Sequence, residues 1–127
     1  MKTCLFLLFL FHVISVAAQD IDPLAGRTFA ISLYEGKERD SNQALKFNDG
    51  KMTFSEAEQY GFVADSYKWK QKNDSTWTFL SISKSSKNGI MTWEGKVTGS
   101  HIEGTCIWSR KVENPVNYTF KGSEISK

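Results

Sequence analysis

From Arg27 onward apolar and polar side chains alternate, and this period of two predicts a chain built almost wholly of β-strands. Arg27 to Tyr34 sets Phe29, Ile31 and Leu33 on one face. Asn48-Asp49-Gly50 marks a tight hairpin, because Asp-Gly accepts the positive φ angles such a turn needs. It joins Leu45 and Phe47 to Met52 and Phe54. Tyr67, Trp69 and Gln71 then alternate with Lys68, Lys70 and Lys72. Beyond the turn Asn73-Asp74-Ser75 come Trp77 and Phe79, with Leu80 and Ile82 on the opposite parity, so this strand is apolar on both faces. Lys87-Asn88-Gly89 leads into Met91, Trp93, Gly95 and Val97, and Thr98-Gly99-Ser100 into Ile102, Gly104, Cys106 and Trp108. Asn114-Pro115 makes the last turn, before Tyr118 and Phe120.

One helical turn is expected, near residues 56–60. Ser55-Glu56-Ala57-Glu58 matches a capping box with Ser55 as N-cap, and Gly61 suits a left-handed C-cap. The rest makes about eight short strands joined by tight turns, and neighbours so joined are antiparallel. An all-β, antiparallel up-and-down barrel hides the apolar face by closing on itself. Eight strands enclose an interior that side chains fill or that holds one small ligand. Gly95, Gly99 and Gly104 fit sharp bends or close backbone approaches. A two-sheet sandwich satisfies the same periodicity and stays open as the rival architecture.

The first residues read differently. Lys2 precedes an apolar run from Cys4 to Val13, and Ser15-Val16-Ala17-Ala18 places small residues where a signal peptidase cuts. Residues 1–18 are therefore expected to be a signal peptide, leaving Gln19 as the mature N-terminus. A membrane-spanning helix needs about 18 or more apolar residues, and this shorter run contains His12. No membrane insertion is expected after cleavage, so the protein is expected to be secreted or periplasmic. Residues 19–26 form an N-terminal arm, 27–122 the barrel and 123–127 a C-terminal tail, with both ends expected to fray.

Cleavage removes Cys4 and His12, so Cys106 and His101 are the last of their kinds. No internal disulfide can form, and a structural zinc site lacks its four ligands. Loss of Lys2 brings the net charge from +2 to +1, which gives no footprint for nucleic acid. No nucleophile elbow, phosphate loop, zinc-protease helix or dinucleotide fingerprint occurs, so neither cofactor nor catalytic residues are expected. His101 and Glu103 share an outward strand face, where they read as solvated; an enzyme would need them at the rim of a cleft. Cys106 points inward and reads as a small buried hydrophobe. Lys68, Lys70 and Lys72 read as a solvated face or a charged edge. Two glycosylation sequons, Asn73-Asp74-Ser75 and Asn117-Tyr118-Thr119, fall at expected exposed positions.

Aromatics make up 13% of the chain, and they supply the candidate binding residues. Tyr67, Trp69, Trp77, Phe79, Trp93, Cys106, Trp108, Tyr118 and Phe120 would line an interior pocket for a small apolar or aromatic ligand. Ser81, Ser83, Gln71 and Tyr118 are its candidate polar contacts. A packed barrel interior uses the same residues without a ligand.

Phe47-Asn48-Asp49-Gly50, Tyr60-Gly61-Phe62, Trp93-Glu94-Gly95-Lys96-Val97-Thr98-Gly99 and the run from Gly104 to Trp108 resemble small exported bacterial proteins described as lipocalin-like, of unassigned function. The resemblance implies a calycin-type barrel, with small-molecule binding and without catalytic residues. The chain departs from true lipocalins at the first strand, where Gly26-Arg27-Thr28 leads to Phe29 instead of a Gly-x-Trp signature. The expected function is a non-enzymatic exported barrel with an interior ligand. The alternative is a solid-core interaction module of the envelope or secretome, such as an inhibitor. That module would present Leu80, Ile82 and Ile107 as an apolar patch.

Overall fold

The computed structural model describes residues 21–125. The export signal expected in residues 1–18 lies outside the described residues. Nine antiparallel strands follow one another: β1 (Thr28–Glu35), β2 (Glu38–Asn48), β3 (Lys51–Phe54), β4 (Val63–Ala64), β5 (Lys68–Asn73), β6 (Thr76–Ser85), β7 (Gly89–Thr98), β8 (His101–Ser109) and β9 (Val116–Glu124). Each long strand pairs with its neighbours in sequence, and β9 returns to pair with β1. β4 and β5 pair with opposite ends of the same edge of β6, so together they occupy one place in the ring. The result is an eight-place, nearly closed up-and-down barrel. The remaining seam is bridged at Lys51 and Ser66, and the Tyr67 N–H donates to the Gly50 carbonyl at 2.9 Å. Closure excludes the sandwich.

Local chemistry explains why the ring forms. Asp49 and Gly50 both take positive φ (52° and 75°), as the Asp-Gly signal predicts for the β2–β3 hairpin. Gly95 and Gly104 sit opposite each other on β7 and β8, between Phe79 and Phe120 on the flanking strands. A Cβ at Gly104 would run into the Glu94 carbonyl oxygen and lie 2.6 Å from the Gly95 Cα. The glycines thus let the sheet curl tightly where bulky rings enter from both sides.

The core fills from one end. Leu24, Phe29, Phe47 and Phe79 are buried there, with Phe47 packed edge-on to Phe29, Tyr67 and Phe79 at 5.1–5.9 Å between ring centres. The expected frayed arm is, in its described part, a docked turn. Gly26 N–H donates to the Phe47 carbonyl at 2.7 Å, and the Tyr67 hydroxyl donates to Asp22. Arg27 grips Glu124 through two nitrogens, at 3.0 and 2.8 Å, and also donates to the Gly99 carbonyl. β9 likewise continues to Glu124, so the start of the expected C-terminal tail is strand.

The Ser55–Gly61 segment forms no helix. It is a chain of turns that ends as the sequence predicts: Gly61 takes φ +75°, with Phe62 N–H donating to the Ala57 carbonyl and Gly61 N–H to that of Glu58. That paired pattern satisfies carbonyls in the way a Schellman ending does. Ser55 is not an N-cap. Its hydroxyl accepts from the Ala44 N–H on β2, at 2.6 Å, and ties the turn to the barrel wall.

Candidate functional site

At the end opposite Leu24 the barrel is not filled. A pocket of about 440 Å³ opens there, a size suited to a small organic molecule. Its walls come from inward positions of the strands, including Leu33 on β1, Met91 and Trp93 on β7, Trp108 on β8 and Tyr118 on β9. Phe54 and Phe62 complete them at either end of the Ser55–Gly61 turn. Trp93 packs against Phe54 and Phe120 at 5.2 and 5.6 Å, and so separates the filled half from the open half.

The turn lies over this mouth and is clasped on two sides. Gln43 on β2 donates from its amide to Glu56 Oε1 and accepts from the Glu56 N–H at 3.3 Å. Across the mouth, Ser85 Oγ and Asn88 Nδ2 both donate to the Tyr60 carbonyl at 2.8 Å. Trp108 Nε1 donates to the Asn88 carbonyl at 2.6 Å, and the Arg110 guanidinium stacks over its ring at 4.0 Å.

One row of side chains crosses four strands facing inward: Ser81, Trp93, Cys106 and Tyr118. Ser81, Trp93 and Cys106 are at most 1% exposed. Ser81 Oγ, Ser83 Oγ and Trp93 Nε1 have no hydrogen-bond partner within the protein. A buried polar atom in that condition marks either a role in binding or a cost to the fold. Burial pushes the Cys106 thiol pKa well above its ordinary range, which leaves it a neutral, unreactive group.

Of the nine candidate residues, Trp93, Trp108 and Tyr118 meet at this pocket. Phe120 lies beneath Trp93, and Cys106 lies between Trp93 and Tyr118. The other four stand elsewhere. Tyr67 and Phe79 belong to the filled end, around Phe47. Trp69 packs half-buried against the core from β5, and Trp77 is half-buried near the start of β6. Gln71 is exposed and donates to the Asn73 carbonyl, so it is not a pocket contact.

Asp40, Ser41, Gln43, Glu56, Tyr60 and Asn88 also line the pocket, and sequence reasoning missed all six. Ser41 and Gln43 fall in a run from Glu38 to Gln43 without a single apolar residue, so nothing in it marked a strand face. The expected outward pair, His101 and Glu103, is exposed, and Glu103 meets Lys96 at 3.4 Å. Asn73 and Asn117, the two sequon asparagines, are both exposed. Set against known proteins, the chain matches no protein-family model, no curated protein and no solved structure.

Proposed function

We propose that this chain is a non-enzymatic, exported, lipocalin-like barrel that takes one small apolar or aromatic molecule into its open end. The observation that carries the reading is the pocket itself: about 440 Å³ with aromatic walls, at the end of the barrel that side chains leave unfilled. A barrel serving only as a rigid module gains nothing from leaving that half unpacked, since unfilled apolar volume lowers stability. The alternative reading draws little support from its expected patch. Leu80 and Ile82 are half-buried and Ile107 is 39% exposed; of the apolar side chains more exposed than Ile107, Ile21 and Val112 lie outside the strands, Val63 on the two-residue β4 and Ile90 on β7.

Titration with N-phenyl-1-naphthylamine, a neutral dye that brightens in apolar surroundings, tests the reading. A saturable rise at one dye per chain is expected. Trp108→Ala, at a half-buried position, weakens it, and so does Trp93→Phe. Absence of saturable binding by the dye and by a panel of neutral apolar molecules would overturn the proposal.

A further inference from the structure

The charge around the pocket narrows the chemistry of its occupant. Asp40 and Glu56 both line the mouth, and no lysine or arginine does. Arg110, the cation that reaches the neighbourhood, is held by Glu113 at 2.6 Å and by the face of Trp108, although its buried Nε has no hydrogen-bond partner. No charged side chain is buried among the described residues, so the interior offers an entering anion no cation. The rim field is felt inside the pocket. Burial first, then the charges of Asp40 and Glu35, raise the Tyr118 pKa against a smaller opposing effect of Arg110.

An anionic head group would therefore leave water for a mouth that repels it, which costs more than the apolar walls of a small pocket return. A protonated amine meets the opposite situation. It finds carboxylates at the rim and the rings of Tyr60 and Tyr118, which attract cations.

We propose that the occupant is a protonated amine on an aromatic frame, with its ammonium at Asp40 and Glu56. The inference rests on the pocket reading above and adds the sign of the charge. It sets the protein apart from carriers of fatty acids or other carboxylate-headed lipids.

Three probes sharing a hydroxyphenyl frame test it by calorimetric titration at low salt. Tyramine is the cation, 4-(2-hydroxyethyl)phenol the neutral form and 4-hydroxyphenylacetate the anion. Affinity should fall in that order. The Asp40→Asn, Glu56→Gln double variant should weaken tyramine by about tenfold and bring the three probes together. Asp40→Asn alone, at an exposed position, should give part of that loss without touching the Gln43 clasp. Tightest binding by the anion, an order that survives removal of the carboxylates, or no binding by any probe overturns the inference. The naphthylamine dye separates the failures. If it still saturates, the pocket stands and the charge argument falls; if it does not, both fall.

Discussion

Leu24 offers the sharpest test of how the closed end is built. It lies before the first strand in a short turn, yet it is 0% exposed and belongs to the main core with Phe29 and Phe47. Leu24→Ala deletes three carbons from a site whose backbone is fixed at Asp22 and Arg27 by bonds of 2.9 and 3.1 Å. Lost transfer energy and the remaining cavity together give about 3 kcal/mol, near the lower part of the range for buried leucines because the barrel end can partly relax. In a domain of this size that corresponds to a fall in melting temperature of about 12–20 °C. Urea unfolding followed by tryptophan emission measures it, with the denaturant slope unchanged. Val112→Ala, at a side chain 93% exposed, is the control and should change stability by less than about 0.5 kcal/mol. A Leu24→Ala protein as stable as the parent would mean that residues 21–26 do not seal the barrel, and the account of its closed end would be wrong.

Other outcomes follow from the same contacts. Gly104→Ala should destabilise by about 3 kcal/mol in the same assay, because its methyl meets backbone rather than a movable side chain. Arg27→Ala should cost about 1–2 kcal/mol, since it removes two partly buried charge-assisted bonds to Glu124 and one to the Gly99 carbonyl. Cys106 should resist a thiol reagent until the protein unfolds, which a colorimetric thiol assay in and out of denaturant reads directly. Burial raises the folded pKa values of Cys106 and Tyr67, the latter also through its bond to Asp22. The native state therefore keeps protons that the unfolded chain releases above about pH 9–10, and stability should fall as pH rises through that range. Tyr67→Phe should flatten part of that alkaline loss in melting curves recorded against pH.

Much of the fold was legible because alternation and turn chemistry agreed. Phe29, Ile31 and Leu33, or Ile102 and Cys106, take the inward positions that a period of two assigns them, and Asp49-Gly50 takes the φ angles its hairpin needs. β6 followed the same parity: Leu80 and Ile82 lie on its half-buried side, opposite Phe79, while Ser81 and Ser83 face inward as expected, with Ser85 after them. The first half of β2 carried no apolar signal at all. It is held by backbone pairing to β1, with Arg39 and Asn42 bonded to each other and to Ser32 on the outer face. Leu24 is a lone leucine without periodicity, so its burial depends on a tertiary contact no local pattern records. The pocket fell between these cases. Its aromatic walls were visible and the Ser55–Gly61 turn was marked, but which acidic and amide side chains reach the rim depends on tertiary contacts and on the half of β2 without an apolar signal.

The pairing of β1 with β9 has a consequence for how the molecule is made. Phe29 lies opposite Glu124, so the ring cannot be completed until nearly the whole barrel sequence has left the ribosome. Until then a growing ribbon carries a long bare border along β1, the kind of template on which strangers or sister chains can add. Such distant pairing also slows folding. Nascent copies should therefore be most vulnerable to mispairing just before β9 is released.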